Sequence, residues 1–325
     1  ADHELSARML AYVGYVWMGL LVIFISIAFA TDLYRLLIHI TAPLAKKDLT
    51  AFIPAPRITF YATFILSLLI CFYGYFEAKN IKAERLTIKT NKIPKEMGQL
   101  KIVQISDVHV GLIVREKRIN KIVEIIKREK PDILISTGDL VDGMMADVDG
   151  LSSLISSIET VYGKYAVTGN HEFYAGLGHA LDFTKKAGFV VLRGAGATVS
   201  GILNIAGVDD SAGIPSGQSK IVDEGELLST LPRDKFTLLL KHRPEVDEKA
   251  IGLFDLQLSG HTHNGQIFPF TLLVKFSYEK LAGLYLLEKG SKIYTSRGTG
   301  TWGPPIRFLS PPEVTIITLV YEEGK

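Results

Sequence analysis

The sequence predicts an α/β domain preceded by two transmembrane helices, and three observations carry that expectation. Two long uncharged apolar stretches lie within the first 76 residues. Beyond Leu86, short apolar runs alternate with amphipathic ones. Several of those runs end in side chains of the kind that bind metals or phosphate. The chain has 325 residues, of which 22% are charged, and its net charge is +2. A charge so near zero gives no field to gather nucleic acid, and no stable nucleic-acid partner is expected. The single cysteine, Cys71, excludes a disulfide framework and any cysteine-built zinc site.

The first apolar stretch, Met9–Ala30 ("MLAYVGYVWMGLLVIFISIAFA"), is long enough to cross a hydrocarbon layer of about 30 Å. Ala28-Phe29-Ala30 resembles a signal cleavage site, but the apolar run is too long for a signal core and a second span follows. That second span, Ile58–Phe76, has aromatics at both ends: Phe60 and Tyr61, then Phe72, Tyr73, Tyr75 and Phe76. Between them, Leu33, Leu36, Leu37 and Ile40 share a helical stripe, so residues 32–42 are expected to form an interfacial helix, His39 included. Pro54 and Pro56 then break the helix. A basic stretch follows (Lys79, Lys82, Arg85, Lys89, Lys92, Lys95), which favours an anionic, cytoplasmic leaflet. Arg35, Lys46, Lys47 and Arg57 in the connection weaken that orientation signal. The chain opens at Ala1 without an initiator Met, which leaves room for a preceding segment. Residues 1–85 are therefore expected to form a membrane region, and residues 86–325 one further domain of an integral membrane protein.

In the second region, "LKIVQIS" (Leu100–Ser106) predicts a buried strand and "REKRINKIVEIIKREK" a helix with Ile119, Ile122, Val123 and Ile126 inward. "DILIS", "KYAVT", "FTLLLK" and "LFDLQLS" repeat the strand signal. "TVSGILNIAGV" predicts a hairpin around Gly201, and "EVTIITLV" a final strand. The residues after these runs carry the chemistry. Asp107-Val108-His109 follows the first, Thr137-Gly138-Asp139 the next, then Gly169-Asn170-His171-Glu172, His242, and Gly260-His261-Thr262-His263. In open α/β sheets, sites are built at the carboxyl ends of strands. Alternation along an extended chain would set His261 and His263 on the same side of the backbone.

"SDVHVG", "STGDLVDG", "TGNHEF", "KHRPE" and "SGHTHNGQ" together resemble the calcineurin-like metallophosphoesterase superfamily, in particular its membrane-anchored bacterial members. The resemblance covers roughly Leu86 to Tyr321. It implies a two-sheet αββα sandwich with a dinuclear metal centre. Position by position, it implies that Asp107, His109 and His263 bind one metal, that Asn170, His242 and His261 bind the other, and that Asp139 bridges both. Sulfur-free N/O ligation suits two divalent ions, Mn first and Fe, Zn or Co otherwise. A water shared by two metals becomes a nucleophile near neutral pH. The resemblance makes His171 the residue that stabilises or protonates the leaving oxygen, and Asp142 the carboxylate that orients it. Glu172 competes for that second role, its alternative being a solvated loop carboxylate. One departure matters: protein phosphatases of the superfamily have arginine where this chain has Gly143, which argues against a protein substrate.

Two flanking segments bear on the substrate. Gln266–Glu288 is strongly apolar and is expected either to line an acyl groove or dip into the membrane, or to pack as core with a strand of its own. In "SRGTGTWGPPIRF", Trp302 would cover the pocket and Arg307 would grip phosphate, unless both only close the loop. The expected activity is phosphodiester or pyrophosphate hydrolysis at the membrane on an amphiphilic, lipid-linked or nucleotide-containing substrate, as in the UDP-2,3-diacylglucosamine hydrolases that the sequence resembles. The alternative is a membrane-tethered, non-catalytic metal-binding or regulatory module.

Overall fold

The computed structural model describes residues 2–143 and 149–323; the chain start at Ala1 lies outside them. Twelve strands among these form two six-stranded sheets. The first has the order β1 (Lys82–Thr90), β12 (Glu313–Tyr321), β2 (Gln99–Ile105), β3 (Ile133–Ser136), β4 (Lys164–Ala166), β5 (Val190–Val191). Only the β12–β2 pair in it is antiparallel. The second has the order β10 (Gly283–Leu286), β11 (Lys292–Thr295), β9 (Leu256–Ser259), β8 (Phe236–Leu240), β7 (Leu203–Gly207), β6 (Ala195–Val199). Its two edge pairs are antiparallel and its centre is parallel.

Period-two alternation assigns the layers. Leu100 and Ile102 of β2 join Ile133 and Ile135 of β3 and Phe236, Leu238 and Leu240 of β8 in one cluster between the sheets. The opposite face of β2, with Val103 and Ile105, packs on helices α3 (Glu116–Glu129), α4 (Asp149–Ser156) and α6 (Leu177–Lys186). Leu239 of β8 faces a smaller cluster under α7 (Glu224–Ser229). The result is the expected αββα sandwich. Ile119, Ile122, Val123 and Ile126 are the buried stripe of α3, and β6–β7 is the expected hairpin, with Ser200 and Gly201 at positive φ in its turn. Strand β9 is shorter than "LFDLQLS": Leu253 lies in a turn, its N donating to Ala250 O, and Asp255 accepts from Thr237 N just before the strand begins.

The front of the chain differs from expectation in one respect. Helix α1 runs unbroken from Asp2 to Ala45, so residues 32–42 continue the first span and form no separate interfacial helix. The apolar stripe read there belongs to the same helical surface as the span. Helix α2 (Pro56–Lys79) begins with Pro56 in its first turn, where a missing N–H costs nothing. Both helices are long and apolar enough to cross a membrane. They pair as a hairpin, with Arg35 of α1 donating to Thr59 of α2 at 2.9 Å. Strand β1 follows α2 after only Asn80 and Ile81.

The helices also dock on the sandwich. Ile23 of α1 is buried with Ile267 and Ile306, and Ile70 and Cys71 of α2 pack against that cluster. Gly74 is required by this contact: a Cβ there would lie 2.5 Å from Ile306 Cγ2 and 2.8 Å from Arg307 O. Arg307 N donates to Gly74 O at 3.0 Å, and the Glu77 carboxylate accepts from Leu309 N and Ser310 N. The loop before β12 is thus clamped onto α2.

Candidate metal centre

The side chains that follow β2, β3, β4, β8 and β9 converge at one end of the sandwich, where the two sheets meet. Five of the seven predicted ligands adopt left-handed backbone: Asp107 (φ 52°), His109 (55°), Asp139 (52°), His261 (70°) and His263 (48°). A non-glycine residue there costs of order 1 kcal/mol or more, and it persists only where its surroundings over-determine it. The conformation reverses the chain just past each strand end and aims the side chain back into the cleft. His261 and His263 therefore do not share a side by strand alternation, as the sequence suggested. Strand β9 stops at Ser259, and each histidine sits at positive φ in a tight turn facing a different cluster.

The glycines between them permit the close approach. A Cβ on Gly169 would lie 2.2 Å from Asp139 Oδ1, and one on Gly260 would lie 1.9 Å from Ser106 Oγ and 2.3 Å from Asp107 Oδ2. Neither position has room for alanine.

Donor atoms of Asp107, His109 and His263 lie within 4.8 Å of one another, as do those of Asp139, His242 and His261. Asn170 joins the second group, its Oδ1 3.2 Å from His242 Nε2. Asp139 Oδ2 is 3.2 Å from His242 Nε2 and 3.8 Å from His109 Nε2, so one carboxylate reaches both groups. Ring nitrogens face each other at 3.1 Å (His109 Nε2, His263 Nε2) and 3.2 Å (His261 Nδ1, His242 Nε2). Facing nitrogens with carboxylate oxygens beside them are the donor set a divalent cation takes. The residues fit two such ions.

The electrostatics agree. Burial and the charges of His242 and Arg243 push His261 down to about 3, and burial beside Arg307 holds His263 well below its ordinary value. Both imidazoles are thus neutral and free to donate a lone pair. Burial also pulls on His242, but the Asp139 charge and hydrogen bond outweigh it and push it up to about 10. A cation bound at His242 must therefore displace a proton. Thr137 O, 2.8 Å from His242 Nδ1, fixes which nitrogen faces the centre.

Asp142 Oδ1 lies 2.7 Å from His171 Nδ1 and 3.2 Å from His109 Nδ1, so it contacts a candidate ligand as well as the histidine it was expected to orient. Glu172 is neither a partner of His171 nor a solvated carboxylate. It is 3% exposed and accepts from Asp139 N, Leu140 N, Val141 N and Gly169 N. Its place three residues after Gly169, in the first turn of α5 (Asn170–Tyr174), is the capping-box position that sequence offers as a signal. Arg307 is fully buried and grips no phosphate: it donates to the carbonyls of His263, Arg297 and Gly300, and Nη2 lies 2.9 Å from His263 Nδ1. Its contacts serve loop closure, the second of the two expectations for it.

A cavity of about 430 Å³ opens over the centre. His109, Asp139, Asn170, His171, His261 and His263 form its floor. Its walls are apolar: Met18 and Val22 of α1, Ile267, Trp302, and Phe270 and Val274 of helix α8 (Phe270–Ser277). The Gln266–Glu288 segment is thus a helix beside the cavity, with no buried residue, followed by edge strand β10, the strand of its own that was expected.

With this arrangement in view, comparison with known proteins is decisive. Residues 100–265 match the family model described as calcineurin-like phosphoesterase. A metallophosphoesterase of Aquifex aeolicus is 43% identical over 78% of this chain and 97% of its own length. The chain belongs to the calcineurin-like phosphoesterase family. It is a phosphoesterase hydrolase with clusters of metal-binding residues. A metallophosphoesterase of Helicobacter pylori is 36% identical over 86% of this chain and 73% of its own. A Danio rerio transmembrane protein with a metallophosphoesterase domain is 28% identical over 78% of this chain and 61% of its own. Among solved structures, a dimetal phosphatase from Danio rerio is similar with a TM-score of 0.42 and 13% identity, over 69% of this chain and 93% of that one.

Proposed function

We propose that this phosphoesterase uses two divalent metal ions, manganese foremost, to hydrolyse a phosphodiester or pyrophosphate bond in an amphiphilic or nucleotide-containing substrate at the membrane. The observation that supports it above all is Asp139, one carboxylate between two donor triads, at the floor of a cavity walled by apolar residues and by a candidate membrane helix. In this reading Asp107, His109 and His263 hold one ion, Asn170, His242 and His261 the other, and Asp139 both. Such ions, when bound, would supply Lewis acidity toward the phosphoryl group and make water more acidic. Residues 1–85 anchor the enzyme and residues 86–325 carry out catalysis. The basic run from Lys79 to Lys95 favours the cytoplasmic face of a bacterial cell membrane.

The chain's own groups then divide the work. His171 lines the cavity. With Nδ1 against Asp142 Oδ1, its Nε2 is left to give a proton to the leaving oxygen. Burial pulls the His171 imidazolium down, but the contact with Asp142 and the charges of Asp139 and Asp142 outweigh that and leave its pKa above the ordinary value. A raised pKa keeps His171 protonated to higher pH, so activity should fall as pH rises through that value. Asp142→Asn should move this alkaline limb to lower pH and cut kcat/KM by about 10–100-fold, the usual effect of losing an orienting partner. A pH–rate profile of the two proteins reads both effects.

Protein stripped of metal and reloaded separately with Mn, Fe, Zn or Co tests the whole reading. Bis-p-nitrophenyl phosphate and a long-chain pyrophosphate in detergent serve as substrates. Hydrolysis is expected only after reloading, fastest with Mn. Metal uptake without turnover of either substrate under any of the four ions would overturn the proposal.

A further inference from the structure

The α1–α2 hairpin sets the depth of the catalytic cavity. Ile58–Phe76, the uncharged part of α2, spans about 28 Å at the helical rise of about 1.5 Å per residue, close to a hydrocarbon thickness of about 30 Å. Its register against α1 is fixed at two levels. Arg35 meets Thr59 at the distal end, and Gly19 and Gly74 both lie against Ile306 at the sandwich end. Met18 and Val22 are therefore level with the last turns of that slab, at its boundary with the sandwich. These two residues form a wall of the catalytic cavity.

Helix α8 lines the same cavity as Met18 and Val22, through Phe270 and Val274. No residue of α8 is buried. Leu272 and Leu273 are more than half exposed, and Phe276 is 89% exposed. Three large apolar side chains on one eight-residue helix are unusual for a water-facing surface. Here α3 makes the contrast: its outward positions are Lys117, Lys121, Glu124 and Arg128. The one charge in α8, Lys275, has a stem long enough to place its ammonium at headgroup level.

We propose that α8 lies in the plane of the phospholipid bilayer beside α1, with Leu272, Leu273 and Phe276 in lipid. The cavity then opens sideways between α1 and α8. An apolar chain of the substrate enters through that opening without leaving the bilayer, while the phosphoryl group reaches the metal-binding floor. The position of α8 rests on reading α1 and α2 as membrane helices; the entry route rests also on the phosphoesterase reading above.

Full-length protein in nanodiscs of phosphatidylcholine and phosphatidylglycerol tests the position. An environment-sensitive fluorophore is attached at Phe276→Cys in a Cys71→Ala background, with Val161→Cys, at a position 69% exposed on the sandwich, as the aqueous reference. Brominated lipid should quench the probe at 276 at least twofold and iodide should scarcely affect it, with the reverse at 161. Quenching by iodide alone at 276 would overturn the proposal. Quenching by neither would overturn it too, since a second protein surface would then cover α8.

The entry route is read with the triple variant Leu272→Gln, Leu273→Gln, Phe276→Gln. Hydrolysis of a long-chain phosphodiester in vesicles should fall about tenfold, while turnover of bis-p-nitrophenyl phosphate stays within twofold of the parent. Equal losses on both substrates, or no loss on either, would refute lateral entry. If the parent protein hydrolysed neither, the phosphoesterase reading would fail and the entry route with it. The quenching result would still decide where α8 lies.

Discussion

Asp139→Ala is expected to abolish turnover and metal binding together. The side chain is nearly fully buried, and its Oδ2 lies within 4 Å of ring nitrogens in both donor groups. Removing it leaves two sets of cations and imidazoles with no shared anion between them, so like charges would repel across a short gap. A drop in kcat/KM of at least about three orders of magnitude is expected, equivalent to about 4 kcal/mol of lost transition-state stabilisation. Bound Mn, measured by elemental analysis after gel filtration, should fall with it. A third measurement separates this from simple misfolding. A ligand that binds only the native state at a hundred times its Kd stabilises by about 2.7 kcal/mol. The parent should therefore gain thermal stability on adding Mn, and the variant should gain little while unfolding near the parent's temperature in chelator. Full metal content in an inactive variant would remove Asp139 from the bridging position. Retained activity would remove the two-metal reading altogether.

The convergence of these side chains at one end of the sandwich was legible in the sequence because its logic is one-dimensional. Each apolar run stops, and a ligand-type side chain follows within a few residues. A strand end is easy to place from hydrophobic periodicity, and sheets put their strand ends together. The backbone that aims those side chains left a weaker trace. Asp and His tolerate the left-handed region better than branched residues do, yet nothing local required Asp107, His109, Asp139, His261 and His263 all to adopt it. The extended reading of His261 and His263 failed for that reason. Gly138, Gly169 and Gly260 were visible as turn residues, but the side chains that crowd them come from other strands.

What the sequence hid is mostly long-range. Arg307 stands in a Gly/Pro-rich loop that suggested a phosphate grip or loop closure without deciding between them; the fold shows its guanidinium enclosed by the carbonyls of 263, 297 and 300. Strands β1, β5 and β11 escaped: β5 and β11 are only two and four residues long, and β1 is an edge strand, which need not be apolar. "KAERLTIKT" has one buried residue, Ile88, and pairs on one side only, with β12. The unbroken course of α1 through residues 32–42 escaped because an amphipathic stripe describes a helix on a membrane surface and a helix beside another equally well. The docking of α1 and α2 on the loop that holds Arg307 was likewise invisible, although it ties the candidate membrane helices to His263 through a chain of contacts: Gly74 to Arg307 N, then Arg307 Nη2 to His263 Nδ1.

Glu172→Ala is expected to cost more stability than any exposed substitution, although Glu172 is no candidate ligand itself and meets Asp139 only at its backbone amide. Its carboxylate takes Gly169 N at 2.6 Å, Leu140 N at 2.7 Å, Asp139 N at 2.9 Å and Val141 N at 3.2 Å. Burial and the neighbouring Asp139 push its pKa up, so the charge is held at a cost that the four amides offset. Truncation removes a buried charge, which is favourable, and leaves four buried N–H groups unpaired, which at about 1–3 kcal/mol each is worse. A net loss of about 3–5 kcal/mol follows. At roughly 2–4 °C per kcal/mol for a domain of this size, Tm should fall by about 10 °C. Glu172→Gln should be milder, since one oxygen still accepts from Leu140 and Val141 while the new amide opposes Asp139 N and Gly169 N. Because the same amides hold Asp139 at its positive φ, Mn affinity should weaken by about 10–100-fold in either variant. A Tm within about 2 °C of the parent in Glu172→Ala would mean that water or a shifted neighbour replaces all four bonds, and the loop after β3 would then owe its shape to the metal ions and not to this carboxylate.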